Sequence, residues 1–242
     1  MSEDGPAERT VREERSLTPM RKTIANRLQE SYQEAVHVTV NRTIDAEELL
    51  SAADDAGKAV ENVDPTVTDI VLCALSDTLA AHPAFNATFE DGTHRLYEEQ
   101  NVGVAITIEG GLVTPVVADI GSLSLSEVAT ERQRLTERVQ AGDYTMSTFK
   151  GGTFTISNLG PLGVDSFNPV INPPEVALLG LGRINEPAVA VDEDVTLHRQ
   201  LTASLSFDHR VVDGADAARF LETLAAHLDD ASQYVPPASS EA

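Results

Sequence analysis

Ser206-Phe207-Asp208-His209-Arg210-Val211-Val212-Asp213-Gly214 joins two different periodicities. Upstream, Leu201, Ala203, Leu205 and Phe207 alternate with Thr202, Ser204 and Ser206, the period-two pattern of a half-buried strand. Downstream, Phe220, Leu221, Leu224 and Leu228 recur at helical spacing. Between strand and helix stand one histidine, an aspartate four residues on and a glycine beside it. The end of a strand followed by a tight turn holds a side chain rigidly at the rim of a sheet. A general base needs that, because proton transfer requires a heavy-atom approach of about 3 Å. Taken alone, a histidine between charged neighbours such as His209 is usually a surface or salt-bridged residue, and a bare H-x-x-x-D spacing specifies little.

Outward from this stretch, helix and strand patterns alternate irregularly. Residues 1–15 are polar and without periodicity, and read as a flexible N-terminal tail. Thr18 and Pro19 suit the start of a helix, in which Met20, Ile24, Leu28 and Tyr32 form an apolar stripe. His37 to Ile44 alternates as a strand, and Asp45 is placed to cap a short acidic helix with Leu49 and Leu50. Asp54 to Asp64 reads as a polar loop. Pro65-Thr66 opens a helix carrying Val67, Ile70, Val71, Ala74, Leu75 and Leu79, apolar enough to be buried and stopped at His82-Pro83. Asp91-Gly92 marks one hairpin turn and Gly110-Gly111 a second, between Val102–Ile108 and Leu112–Val117. Ser124 or Ser126 starts a polar helix with Val128, Leu135 and Val139, closed by Gly142. Gly151 to Gly160 is a strand running into a glycine-rich turn, and Val176–Leu181 and Val189–Leu197 are further strands. The pattern fits an α/β fold, a two-layer sandwich around a mixed β-sheet, spanning residues 16–234, with a loose tail at 235–242. Neither a dinucleotide fingerprint nor a phosphate-binding P-loop occurs.

The formal charge is -22 at pH 7. Lys22, Lys58 and Lys150 are the lysines, and the other basic residues are arginines. So acidic a surface repels itself unless counterions screen it, which points to a salty cytoplasm of the halophilic kind. It argues against nucleic acid or an anionic membrane as a partner. Cys73 is the single cysteine and lies inside an apolar helical pattern, so disulfides and cysteine-based zinc are excluded. The histidines 37, 82, 94, 198, 209 and 227 show no metal-ligand spacing, and no metal is expected. Without a signal peptide or membrane-length apolar run, a soluble cytoplasmic protein is expected.

The string Asp208-His209-Arg210-Val211-Val212-Asp213-Gly214 resembles the motif of the dihydrolipoamide acyltransferase catalytic domains, the core subunits of 2-oxo acid dehydrogenase complexes, in the chloramphenicol acetyltransferase-like superfamily. The likeness continues in order through Pro19–Ala25, His37-Val38-Thr39, Gly111–Val116, Gly152–Gly160 and Asn172–Gly180, and so runs from about Ser16 to about Tyr234. Two features depart from the family. No lysine sits in a lipoyl-type hairpin, so the lipoyl group must come from a separate carrier domain. Val36 stands where relatives often have proline.

The resemblance implies transfer of an acyl group between the thiol of a dihydrolipoyl group and coenzyme A. A free thiol, with a pKa near ~8.5, is mostly protonated at neutral pH, and neutral imidazole, near ~6.5, is available as a base. His209 is then the general base toward the thiol, and Ser157 the hydroxyl donor to the tetrahedral oxyanion. Asp213 either orients the imidazole or holds the turn, and Asn158 shapes the turn after Ser157. Asp208 and Arg210 read as scaffold charges facing away from His209, paired with Arg21 or Arg27. Gly214 is expected to serve close approach or a positive φ. Arg21, Lys22 and Arg183 are weak candidates for the phosphates of coenzyme A, and His37 reads as a packed strand residue, with a place near the substrate channel as the alternative. In the family the site lies between subunits of a homotrimer, which builds 24-mer or larger cores. A lipoyl carrier and 2-oxo acid dehydrogenase and dihydrolipoamide dehydrogenase subunits are the implied partners. The alternatives are a coenzyme A-dependent acyltransferase with a non-lipoyl acceptor and a non-catalytic oligomeric scaffold. The acyl group is not legible.

Overall fold

The computed structural model describes residues 9–191 and 194–237. The ends of both expected tails, 1–8 and 238–242, lie outside the described residues. The chain runs α1 (Pro19–Glu34), β1 (His37–Asp45), α2 (Glu47–Ala59), α3 (Val67–Ala81), β2 (Ala87–Glu90), β3 (Thr93–Leu96), β4 (Val102–Val104), β5 (Ile106–Ile108), β6 (Gly111–Val113), β7 (Val116–Val117), α4 (Leu125–Gln140), β8 (Phe154–Asn158), β9 (Ala177–Leu181), β10 (Ala188–Val191), β11 (Asp194–Leu197), β12 (Gln200–Asp208) and α5 (Gly214–Asp229).

Six strands form the main sheet in the order β1-β12-β9-β8-β4-β7. The pairs β1–β12, β12–β9 and β4–β7 are antiparallel, whereas β9–β8 and β8–β4 are parallel, so the sheet is mixed. Period-two alternation gives it two unlike faces. Leu201, Ala203, Leu205 and Phe207 of β12 share a core with Leu179 and Leu181 of β9 and Phe154 and Ile156 of β8. Helices α2, α3, α4 and α5 cover that face. In α3, Ile70, Val71, Leu72, Ala74 and Leu75 are all inaccessible, as an all-round apolar helix requires. Phe220 of α5 stacks on Phe154 of the sheet with ring centroids 5.8 Å apart. The opposite face carries Thr39, Ser204, Ser206, Thr155 and Ser157, and segment 163–175 runs over part of it. A Cβ on Gly180 would meet the Phe167 ring at 2.7 Å, and one on Gly182 the Asp165 carbonyl at 1.9 Å, so only glycine lets that segment lie so close.

Several local expectations are corrected. Residues 54–59 continue α2 instead of forming a loop, because Ala52 and Ala56, one turn apart, both enter the core and carry the helix onward. The capping position of α2 is Ala46, although the Asp45 carboxylate still accepts from the Glu47 N–H at 2.8 Å. Ser124 is the residue that caps α4, with Glu127 bonding back to it. The second hairpin is broken into β5–β6 and β4–β7 ladders, and its turn falls at 109–110. Residues 189–191 and 194–197 lie in two antiparallel strands, β10 and β11, not in one strand, because the two halves pair with each other. In α1, Met20 and Ile24 meet the β5–β6 turn, but Leu28 and Tyr32 remain 48% and 76% exposed. The helix is tied down instead by polar contacts, Arg27 donating to the Pro173 carbonyl at 2.9 Å and Ser31 to that of Ile171 at 2.6 Å.

Candidate active site

The end of β12 is fixed by Asp208. Its buried carboxylate accepts from the Val36 N–H at 3.2 Å and the Arg210 N–H at 3.1 Å, and its Oδ2 from the Arg210 guanidinium at 2.5 Å. Burial works to raise this carboxyl, yet the Arg210 guanidinium and the two N–H groups outweigh it and hold it below the usual range. The Asp208 carbonyl accepts from Val211 and Val212, which closes the turn. Asp208 and Arg210 therefore pair with each other, and the expected pairing with Arg21 or Arg27 is not formed. Arg210 also lies 4.6 Å over the Phe89 ring, so both its charge and its plane are engaged.

His209 follows directly. Its N–H donates to the Val36 carbonyl at 2.9 Å, so the residue that leads into β1 anchors it from the side. The imidazole stays 40% exposed, with Nδ1 3.7 Å from the Asp213 carboxylate, beyond direct hydrogen-bond distance. The Asp213 side chain is 79% exposed, while its carbonyl accepts from Asp216 and Ala217 and starts α5. Asp213 thus serves the turn through its backbone and faces His209 with its carboxylate. Gly214 has an ordinary φ and open space around its Cβ position, so neither reason expected for it applies. His37 is held in the packed strand position, accepting from the Ile171 N–H at 3.2 Å through Nε2 while Nδ1 faces the Ala35 carbonyl.

Ser157 lies near the end of β8 on the polar face, 9% exposed, and among the described residues its hydroxyl makes no hydrogen bond. Asn158 shapes the turn that follows, accepting from the Gly160 N–H at 2.9 Å and donating to Thr68 at 3.2 Å. Strand register places Ser157 level with Gly180 of β9, and Gly180 level with Ser204 of β12. His209 is five residues beyond Ser204. Two inter-strand spacings and five strand rises separate Ser157 and His209 by about 19 Å between Cα atoms. One copy of the chain therefore does not bring these two side chains together.

The candidate phosphate-binding cations are dispersed. Arg21 and Lys22 are exposed on α1, whereas Arg183 follows β9 and is neutralised by Asp165 at 2.5 Å. No group of three or more metal-ligating side chains occurs among the described residues. The structure adds Glu175, which the sequence reading passed over. Its carboxyl, 6% exposed, accepts from Thr155 Oγ1 at 2.5 Å and Asn172 Nδ2 at 2.9 Å. Burial pushes it up to about 7 against these two donors and the Arg27 charge. A charged residue between two prolines and an apolar strand was the available signal.

The model of the 2-oxoacid dehydrogenases acyltransferase catalytic domain matches residues 10–235. The dihydrolipoyllysine-residue acetyltransferase component of the pyruvate dehydrogenase complex of Zymomonas mobilis is 35% identical over 207 residues, 85% of this chain and 47% of that protein. The chain spans about half the length of the curated relatives it matches. The dihydrolipoamide acetyltransferase of Azotobacter vinelandii, solved to define the roles of a serine, a histidine and an asparagine in its mechanism, superposes with a TM-score of 0.85. It is 29% identical, and the match covers 96% of this chain and all of that one. The cubic core of a pyruvate dehydrogenase multienzyme complex gives a TM-score of 0.85 at 30% identity, covering 96% and 100%. A chloramphenicol acetyltransferase, at 14% identity and a TM-score of 0.53 over 87% of this chain and 94% of that one, shares the fold.

Proposed function

The chain belongs to the family of 2-oxoacid dehydrogenase acyltransferase catalytic domains, and on that premise we propose that it transfers acyl groups between a dihydrolipoyl thiol and coenzyme A. The observation that carries the reading is His209, an imidazole held rigidly at a sheet end by Asp208 and Val36 yet open to substrate. The serine, histidine and asparagine of the Azotobacter enzyme are separated along its chain as Ser157, His209 and Asp213 are here, with aspartate in the asparagine's place. Residues 16–234 form the catalytic unit on this reading.

The chemistry follows from these groups. His209 takes the proton of the attacking thiol, and the sulfur adds to the thioester carbonyl carbon. The Ser157 hydroxyl, unengaged within its own chain, donates to the oxyanion that forms. Collapse breaks the old carbon–sulfur bond, and the imidazolium returns its proton to the departing thiolate. Asp213, facing Nδ1, favours the tautomer that leaves Nε2 as the base and steadies the imidazolium. A base of this kind is worth about 10²–10⁴-fold and one oxyanion donor about 10²–10³-fold.

Because Ser157 and His209 lie about 19 Å apart in one chain, each site combines His209 of one copy with Ser157 of another. A homotrimer supplies that arrangement with closed symmetry, and the cubic-core neighbour supports assembly to a 24-mer. Exposed Leu28, Tyr32 and Val36 on and after α1 offer apolar surface for a second copy to cover. Within the assembly, Arg21 and Lys22 remain the cations available to coenzyme A phosphates, Arg183 being already paired. The lipoyl group comes from a carrier domain, and 2-oxo acid dehydrogenase and dihydrolipoamide dehydrogenase subunits complete the cycle. The charge of -22 fits work in a salt-rich cytoplasm.

The test offers acetyl-, succinyl- and isobutyryl-coenzyme A to dihydrolipoamide in concentrated KCl, with His209→Ala alongside. Transfer that collapses by about 10²–10⁴-fold in the variant supports the mechanism, and the preferred donor names the acyl class. A folded, assembled wild type that transfers nothing from any donor refutes it.

A further inference from the structure

Three cations gather in a cleft of about 390 Å³ between the second half of α4, the edge strand β7 and the segment 145–151. Neither His209 nor Ser157 lines it. The chain holds 39 acidic residues against 17 basic ones, yet this lining has Arg134, Arg138 and Lys150 against the single carboxylate of Glu131. Glu131, Arg134 and Arg138 recur at i, i+3 and i+7, so they share one face of α4. Arg134 forks onto Glu131 at 2.7 and 2.5 Å, and Arg138 reaches Asp143 at 3.1 Å through Nε. Each guanidinium has five N–H donors, so both keep several without a partner among the described residues. Lys150 enters from the segment ahead of β8 and forms no ion pair among the described residues. The Thr148 hydroxyl accepts from the Thr145 N–H and, among the described residues, donates to no acceptor. Buried Leu135 adds an apolar wall.

We propose that this cleft binds the phosphate group of a small phosphorylated molecule. Like charges one turn apart on a helix repel, and exposed ion pairs such as those to Glu131 and Asp143 offset little of that. An anion between Arg134, Arg138 and Lys150 relieves the repulsion and meets all three. Phosphate suits the set, because its oxygens accept several charge-assisted hydrogen bonds and arginine matches their geometry. The acidic surface elsewhere repels an anion, and screening confines the attraction to about 10 Å around the cleft. The volume is in the range of small-molecule sites and exceeds what bare phosphate fills, so an organic body fits against Leu135. Two sources offer this chemistry: the phosphates of coenzyme A, reaching cations additional to Arg21 and Lys22, and a free phosphorylated effector. Assignment to coenzyme A rests on the acyl-transfer reading above; phosphate binding itself does not.

The experiment follows inorganic phosphate and adenosine monophosphate by phosphorus NMR as each is titrated with the assembled protein in dilute chloride salt. The variants are Arg138→Gln with Lys150→Gln, and Arg219→Gln as the control, an exposed arginine of α5 outside the cleft. Removing a cation about 4 Å from a unit negative charge in water weakens binding about sixfold, and removing two about thirtyfold. The expected result is binding to wild type, weakened about thirtyfold in the double variant and unchanged in Arg219→Gln. No binding of either probe overturns the proposal, and so does equal weakening in Arg219→Gln, which would mean diffuse surface charge. If the double variant does not assemble, Lys150→Gln alone decides: about sixfold weaker binding supports the proposal, and unchanged binding overturns it. Acyl-transfer kinetics then separate the sources. A raised KM for coenzyme A with kcat kept in the double variant identifies the coenzyme's own phosphates; an unchanged KM beside lost phosphate binding identifies a free effector. A wild type that transfers no acyl group refutes the acyl-transfer reading and leaves the phosphate titration standing.

Discussion

Mixing two inactive variants tests the shared site most directly. On the proposed mechanism, His209→Ala removes the base from one end of the sheet, and Ser157→Ala removes the oxyanion donor from β8. Alone, each variant should fall by about 10²-fold or more. The register from Ser157 through Gly180 to Ser204, and along β12 to His209, separates the two by about 19 Å, so neither chain holds a complete site. After dissociation and reassembly of equal amounts, a site is intact when the histidine-donating copy carries Ser157→Ala and the serine-donating copy carries His209→Ala. Random neighbours meet that condition in about one site in four, so activity should return to about a quarter of wild type. That is at least about twentyfold above either parent. Thiol-linked acyl transfer reads the activity, and native mass spectrometry of mass-tagged chains verifies mixing. Verified mixed trimers whose activity equals the sum of the two residual levels would refute the two-copy site, and with it the strand-geometry reasoning.

The remaining predictions concern stability and pH. Asp69, fully buried, is paired with Arg132 at 2.5 Å and also receives the Thr66 cap, so Arg132→Met strands a carboxylate and should cost about 3–5 kcal/mol. Urea unfolding at fixed protein concentration reads this, and an unchanged midpoint would show that the pair contributes nothing. Asp208, held below its usual range, contributes stability present above the ordinary aspartate pKa and lost as pH falls through its lower folded value. Asp208→Asn should therefore be less stable than wild type at neutral pH, the gap closing in acid; a gap independent of pH contradicts this. Glu175 has the opposite sign. Raised to about 7, it stabilises fully at acid pH, and the contribution fades as pH rises through about 7. Thermal melts should show wild type losing ground to Glu175→Gln across that range, and parallel melting curves would count against the raised value.

Much of this fold is legible because periodicity is a local property. The alternation in 201–207 gives β12 one apolar face, and the all-round apolar run after Thr66 gives the buried helix α3. The stretch around His209 likewise locates the candidate base, since a strand end, a turn and a helix start are all written in neighbouring residues. Ser157 and Asp213 were reached through resemblance, and the structure supplies their surroundings. What the sequence leaves open depends on partners distant in the chain. The stripe on α1 is periodic, yet Leu28 and Tyr32 stay exposed, because a pattern names a face and not what covers it. Residues 189–197 read as one strand, yet 189–191 and 194–197 belong to two antiparallel strands, β10 and β11, a pairing that only the tertiary structure shows. Whether Asp208 meets the distant Arg21 or Arg27 was likewise open, and in the structure it pairs with Arg210 instead. The burial of Glu175 depends on Thr155 and Gly152, which the fold brings to it from β8 and its approach, elsewhere in the chain. The separation of His209 from Ser157 follows only from the register of three strands paired across the sheet. Hydrophobic pattern thus determined the elements and the rim residue, and long-range strand pairing decided where charges are buried and how far His209 lies from Ser157.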